Sequence, residues 1–102
     1  MASRADLNKF LEDLMGNENV YFNPPESIKL EYPGIRYTLE NFDTKYADNE
    51  MYILKPRYQL TLIDEDPDSV YVYKLLSNPY ISFVRHYTSD GLHHWVFRLY
   101  QD

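Results

Sequence analysis

The apolar residues near the beginning of the sequence recur at the spacing of an α-helix. Ser3 and Asp6 resemble the capping box that starts a helix, and Gly16 is suited to end one. Between these signals the apolar residues fall on one stripe: Leu7, Phe10, Leu11, Leu14 and Met15. The pattern predicts an amphipathic helix that packs on the sheet of its own domain. A helix that binds a partner is the less favoured alternative.

Alternation of apolar and polar residues predicts two strands in the middle of the chain. The first strand is centred on Ile35, Tyr37 and Leu39, and the second spans about residues 52–63. Pro56 lies near the start of the second strand, where proline suits an edge position or a bulge.

The segments around these strands have irregular patterns. Residues 17–33 include Asn23-Pro24-Pro25, which opposes a regular helix, and only residues 27–32 are predicted to form a short edge strand. Residues 41–50 read NFDTKYADNE, and this polar composition predicts a loop.

A second helix is predicted directly after the second strand. Asp66 is suited to cap this helix, and Pro67 suits its first position because the N–H there would have no helical partner. We expect the helix over residues 67–77, with an apolar stripe formed by three side chains: Val72, Leu75 and Leu76.

The last third of the sequence predicts a β-hairpin. Residues 80–87 and 92–101 have strand patterns, and Asp90-Gly91 between them is a strong turn signal. A two-residue turn places Val84 opposite Phe97 and His86 opposite Trp95. One face of the hairpin is then predicted to carry Val84, Trp95, Phe97 and Leu99, and the other Ile81, Phe83, Val96 and Tyr100. Since both faces are partly apolar, we expect the helices to cover one and a second subunit to cover the other.

Together these elements predict a single domain over residues 1–102 with an α+β fold. The expected architecture is a mainly antiparallel β-sheet flanked by two helices on one face, in the order α-β-β-α-β-β. The chain has no cysteine, which excludes disulfides and thiolate metal sites. No apolar run is long enough to span a membrane and no signal peptide is visible, so we expect synthesis in the cytoplasm and no membrane partner.

Charge and aromatic content narrow the classes of function. The net charge of −6 disfavours sequence-independent nucleic-acid binding, which requires a basic surface. The chain has 11 Tyr, 5 Phe and 1 Trp, more aromatic side chains than one small core holds. Tyrosine is enriched at protein interfaces, although a tyrosine-rich sheet surface explains the composition equally well.

Three histidines are the residues to consider for a metal site. His86 and His93 are predicted to be diagonal neighbours on one sheet face, where they can ligate zinc with Asp90 as a third ligand. His94 is predicted to face the other way. A histidine pair without cysteine or a helical i, i+4 partner is a weak signal, so we expect no metal and no cofactor.

Other chemistry has little support in the sequence. The acidic residues 64–68 lack the spaced ligands and central glycine of a calcium loop, and the start of a helix explains them. There is no cysteine nucleophile and no G-x-S-x-G motif. We therefore expect no catalytic residue and no enzyme activity.

Three segments carry a resemblance to a known family: NPPESIKLEYPGIRY, KPRYQLTLIDEDPDS and FVRHYTSDGLHHWVFRLY, which together cover about half of the chain. They resemble the small tail-terminator and neck proteins of long-tailed bacteriophages (siphophages) and their prophage relatives. The resemblance implies an α+β fold and a hexameric ring that stops growth of the tail tube and docks the tail to the head. It transfers no role to any individual residue.

The resemblance also implies partners and a location. The partners are further copies of the chain in a ring homo-oligomer, the tail tube protein and a head-completion or neck protein, and the location is the tail or neck of the virion. Genome DNA would pass through the lumen without specific binding, helped by like-charge repulsion. Three alternatives stay open: a head-completion protein of the same connector, a monomeric phage-encoded module that binds a host protein, and a metal-dependent enzyme built on His86 and His93. Self-association separates the ring from the module.

The polar segment of residues 41–51 is the candidate contact arm, expected to become ordered on assembly. The second helix adds tyrosines that lie away from its apolar stripe. The predicted interface residues are Phe42, Tyr46, Asp48, Asn49, Met51, Tyr52, Tyr71 and Tyr73.

Overall fold

The computed structural model describes residues 4–25, 29–47 and 50–100, with the backbone alone for residues 43–47 and 50–54. The described elements are α1 (Arg4–Met15), β1 (Val20–Phe22), β2 (Gly34–Ala47), β3 (Glu50–Asp64), α2 (Val70–Leu76), β4 (Ile81–Ser89) and β5 (Leu92–Leu99). The strands form one five-stranded sheet in the order β1-β2-β3-β5-β4. Only the β1–β2 pair is parallel among these described strands. The predicted α+β fold is confirmed, with one more strand than expected.

Helix α1 forms where the sequence predicts it. Its apolar stripe packs into the core with side chains that are buried or partly buried: Leu7, Phe10, Leu11, Leu14 and Met15. Gly16 adopts a φ of +72° and its N–H donates a hydrogen bond to the Glu12 carbonyl at 2.9 Å, which ends the helix. Ser3, the predicted cap, lies outside the described residues.

Strand β1 is not predicted by the sequence pattern. It consists of only three residues and pairs in parallel with β2, with Val20 opposite Ile35. The edge strand expected at residues 27–32 is wrong where the structure tests it, because residues 29–32 are irregular and residues 26–28 lie outside the described part. Gly34 permits the close approach of these segments: a Cβ there would lie 2.5 Å from the Glu31 carbonyl oxygen.

Helix α2 is shorter than predicted and has a different cap. Ser69 occupies the N-cap position, so Asp66 is not the cap. Asp66 Oδ1 instead accepts a hydrogen bond from the Asp68 N–H at 2.8 Å, and Asp64 Oδ1 accepts one from the Asp66 N–H at 3.1 Å. These turns occupy residues that would otherwise extend the helix, because aspartate side chains compete for nearby backbone N–H groups. Of the predicted stripe, Leu75 is buried, Val72 is partly buried and Leu76 is exposed.

The core lies between the two helices and one face of the sheet, which we call the helix-covered face. The side chains that form this face are Ile35, Tyr37, Tyr58, Leu60, Leu62, Ile81, Trp95, Phe97 and Leu99. Each large apolar side chain buried here contributes roughly 1.5–3 kcal/mol relative to an exposed position. No described helix covers the opposite face, so the expected second cover, a subunit, stays a prediction.

The turn of the C-terminal hairpin is confirmed. Asp90 and Gly91 adopt φ values of +53° and +76°, and Ser89 lies opposite Leu92. Two consecutive left-handed residues are typical of the tight turn that matches strand twist. The predicted pairing of His86 with Trp95 is also confirmed.

Further along the hairpin, the predicted register is wrong because strand β4 contains a bulge. Phe83, not Val84, lies opposite Phe97, and Arg85 lies opposite Val96, so Val84 is the extra residue. Ile81 and Phe83 therefore lie on the helix-covered face rather than with Val96. The rings of Phe83 and Phe97 meet edge to face with centroids 5.8 Å apart.

Candidate functional site

The segment predicted to be a polar loop is part of two long paired strands. β2 continues to Ala47 and β3 begins at Glu50, with Asn41 paired to Arg57 and Ala47 to Glu50. β5 pairs with β3 only along residues 58–64. Residues 41–47 and 50–57 therefore form a two-stranded ribbon, which we call the arm, and no third strand of the described chain pairs with it.

The loop prediction is wrong because it rested on the polar letters NFDTKYADNE, which show no apolar alternation, whereas the backbone of residues 41–47 pairs with β3. The prediction for Pro56 is confirmed: it lies opposite Phe42 in the arm, where the far side of β3 carries no described strand. Proline lacks an N–H, and edge positions are where strands tolerate that loss.

The arm gives the molecule an elongated shape, with principal extents of 51 × 28 × 24 Å. A strand of seven residues is about 23 Å long at about 3.3 Å per residue, so the arm is long relative to the domain. A two-stranded hairpin on its own is only marginally stable in water. The arm is therefore the region that would gain most from contact with a partner.

An ionic cluster holds the root of the arm. Glu40 is the extra residue of a bulge between Leu39 and Asn41. Its Oε1 lies 3.0 Å from Arg98 Nε and 3.5 Å from Arg57 Nε. Hydrogen bonding to Glu40, with a smaller contribution from Tyr100, raises the pKa of Arg98, so the guanidinium stays charged. The ion pairs of Glu40 with Arg57 and Arg98 therefore lie where the arm leaves the rest of the sheet.

The structure places the predicted interface residues in two separate groups. Phe42 lies on the arm and is 46% exposed. On α2, Tyr73 is 74% exposed, whereas Tyr71 is partly buried and packs against the core. The two groups lie on separate elements, the arm and α2. The remaining predictions concern residues or side chains outside the described part: Tyr46, Asp48, Asn49, Met51 and Tyr52.

Apart from Tyr73, an exposed apolar surface around α2 was missed by the sequence reasoning. Val70 is 60% exposed and Phe83 is 48% exposed, and α2 packs beside β4. We call this surface the α2–β4 patch, and its exposed residues are Val70, Tyr73, Leu76, Tyr80 and Phe83. A signal was present, because Val70, Tyr73 and Leu76 are spaced three apart on a stripe distinct from that of Val72 and Leu75.

The diagonal pair of histidines is confirmed on β4 and β5. His86 Nε2 and His93 Nδ1 lie 3.0 Å apart, and the two rings stack with centroids at 5.2 Å and planes at 19°. The Trp95 ring lies 5.4 Å from the ring of His86 and 5.7 Å from that of His93. The three rings form a ladder near the hairpin turn, which we call the histidine ladder.

His94 faces away from this ladder, as predicted. Its ring stacks on Tyr87 with centroids 4.7 Å apart, and burial lowers the pKa of His94. Asp90, the predicted third ligand, does not join His86 and His93 in a cluster. Among the described residues, no group of three or more His, Cys, Asp or Glu side chains is arranged to hold a metal ion.

Comparisons with protein-family models and with curated proteins found no match to this chain. Within the described residues, no helix combines the length and apolar character needed to cross a bilayer.

Proposed function

We propose that this protein is a structural component of a bacteriophage virion, a tail terminator. In this proposal the chain assembles into a hexameric ring that caps the tail tube and joins the tail to the head. The observation that carries the proposal is the arm, a ribbon of residues 41–47 and 50–57 that extends beyond the residues where β5 pairs with β3. The resemblance of three sequence segments to tail-terminator and neck proteins supports the same conclusion.

The arm is suited to bind a neighbouring subunit. Within the described residues, both of its outer edges carry backbone N–H and C=O groups with no strand beside them. Such edges bind other chains by strand addition. The exposed aromatic ring of Phe42 adds apolar area to the same ribbon.

The α2–β4 patch supplies a second surface of different shape, and its location supports a ring. Tyr73 and Phe83 are exposed there, on α2 and on the edge strand β4 rather than on the arm itself. An interface between two different surfaces is head-to-tail, and repetition of such an interface generates a closed ring when the rotation closes. An arm that contacts the α2–β4 patch of the next subunit has this property.

The charge of the chain fits the passage of DNA through such a ring. A net charge of −6 on each subunit gives an acidic assembly that repels the phosphate backbone. DNA would then slide through the lumen without specific contacts. The tail tube protein would bind one side of the ring, and a head-completion or neck protein would bind the other.

The test is the solution mass of two proteins, measured by light scattering over a range of concentration. One is the natural chain, and the other has residues 42–56 replaced by a short glycine-asparagine-glycine turn. We expect the natural chain to form a hexamer, either alone or on addition of tail tube protein. We expect the shortened chain to stay a folded monomer, because the arm contributes little to the core.

Point variants then separate the two surfaces. Phe42→Ser on the arm and Tyr73→Ser on α2 should each weaken assembly, whereas Asp13→Ser at an exposed position of α1 should not. A natural chain that stays monomeric with and without tail tube protein would overturn the ring and favour the monomeric binding module. Assembly only with a head-completion protein would move the chain to the head side of the connector.

A further inference from the structure

We infer that the histidine ladder is a binding site for one divalent transition-metal ion, held by His86 Nε2 and His93 Nδ1. This inference does not depend on the proposed ring. The class of ion is the one that prefers imidazole nitrogen: Cu²⁺ first, then Ni²⁺ and Zn²⁺. Water would fill the other coordination positions.

The distance between the two nitrogens fits one shared ion. Two imidazole nitrogens at about 2.0–2.1 Å from a metal lie about 2.9 Å apart at a right angle and about 3.4 Å apart at a tetrahedral angle. The observed separation is 3.0 Å. The two nitrogens are close enough to share one ion, and since the ring centroids are 5.2 Å apart the nitrogens face each other. Each ring therefore has to turn slightly so that both lone pairs point at the same ion.

The surrounding fold holds the pair in this arrangement before any ion binds. His86 pairs with Trp95 and His93 pairs with Thr88, so the β4–β5 register fixes both backbones. The His93 ring stacks on His86 and on Trp95, and the Trp95 ring contacts His86 at a tilt of 42°. A pair that is already ordered loses little side-chain entropy on binding, which favours affinity.

Binding of the ion requires only that one proton changes position within a histidine ring. In the neutral pair, one ring donates its N–H to the other ring nitrogen across the 3.0 Å contact. When the ion enters, that proton moves to the other nitrogen of the same ring, and both contacting nitrogens present lone pairs to the metal. The pair lies on the exposed surface, so ion and water can reach it.

The histidine ladder contains the single tryptophan of the chain, which makes binding directly measurable. Cu²⁺ at the pair would lie beside Trp95 and quench its fluorescence. The experiment titrates Cu²⁺ into the full chain without a polyhistidine tag, and then adds Zn²⁺ to compete. We expect saturable quenching at one Cu²⁺ per chain, with partial recovery on addition of excess Zn²⁺.

Variants decide whether the two rings are the ligands. His86→Gln and His93→Gln should each weaken Cu²⁺ binding at least tenfold, whereas His94→Gln on the opposite face is the matched control and should bind as the natural chain does. His86→Asn repeats the first test with a shorter side chain, and thermal melting confirms that each variant is folded. Equal affinity of all these variants, or an equal loss in His94→Gln, would overturn the site.

Discussion

The inner and outer halves of the β2–β3 hairpin have the same backbone pairing and different surroundings. In the inner half, Ile35 and Leu60 are completely buried under the helices, and β5 pairs with β3. In the outer half, the arm, Phe42 is exposed and no third described strand is present. The comparison shows that strand pairing alone does not tell which half of the hairpin stabilises the fold. The inner half supports the fold, and the outer half is left available for a partner.

The largest expected effect is at the buried centre of the inner half. Leu60→Ala should lower the free energy of unfolding by about 2–5 kcal/mol, because it removes apolar burial and leaves a cavity. Urea unfolding of the monomer measures the change. Leu39→Ala is the control in the same hairpin, since Leu39 is 43% exposed, and it should cost less than about 1 kcal/mol. Equal costs at both positions would remove the distinction between core and surface.

A second expected effect lies where the inner half begins. Gly34→Ala should cost about 1–3 kcal/mol, because the new methyl group would press on the backbone of Glu31 and Asn19. Thr38→Ala, later on the same strand, lacks this conflict and serves as the control. A Gly34→Ala protein as stable as the natural chain in urea would show that the contact relaxes without cost.

A smaller effect is expected at Tyr37, whose hydroxyl donates a hydrogen bond to Asn8 Oδ1 at 2.8 Å. Tyr37→Phe should cost about 1 kcal/mol at neutral pH. Burial raises the pKa of Tyr37 above its ordinary value of 10.0. The unfolded chain therefore loses this proton first as pH rises, and the contribution of Tyr37 to stability declines above pH 10.0.

Urea unfolding at several pH values tests this prediction. The difference in stability between the natural chain and Tyr37→Phe should be full at pH 7 and should narrow above pH 10. A difference that widens with rising pH would contradict the buried, neutral hydroxyl.

The smallest expected effect on stability is in the arm. Phe42→Ser should change the free energy of unfolding of the monomer by no more than about 0.5 kcal/mol, because the side chain is exposed. Urea unfolding under monomeric conditions provides the measurement. A loss above about 2 kcal/mol would mean that the arm folds against the body of the domain, and the two halves of the hairpin would then be alike.

The elements that bury an apolar pattern were predictable from the sequence. The stripe from Leu7 to Met15 gave α1, and the alternation around Tyr37 gave β2. The Asp90-Gly91 signal gave the turn and, with it, the pairing of His86 with Trp95. In these regions the local pattern and the tertiary environment favour the same structure, which is the condition for a reliable prediction.

The elements that depend on distant pairing were not predictable. β1 has too few residues to show alternation, and it exists because Val20 meets Ile35 across a parallel ladder. The β2 half of the arm pairs through its backbone with β3, but its polar letters indicated a loop. The bulge at Val84 shifts the register by one residue without a local signal, which reversed the predicted faces of Ile81 and Phe83.

The candidate functional surfaces also differ in whether the sequence predicted them. The arm residues were identified from polarity, and the histidine pair from the hairpin register. Apart from Tyr73, the α2–β4 patch was missed, because the predicted apolar stripe of α2 included Leu76 and the second stripe through Val70 was not recognised. The exposure of Val70 follows from the position of α2 beside β4.

The position of β5 in the sheet has a consequence for the order of folding. β5 is made after β4, yet it lies between β3 and β4, and it supplies Trp95, Phe97 and Leu99 to the core. During synthesis α1 emerges first, but its buried stripe has no complete surface to pack on until β5 is also present. Contacts between such distant parts of a sequence slow folding. The core is therefore complete only when residues 92–99 have been made, and a ribosome paused before residue 92 would carry a chain with an unfinished core.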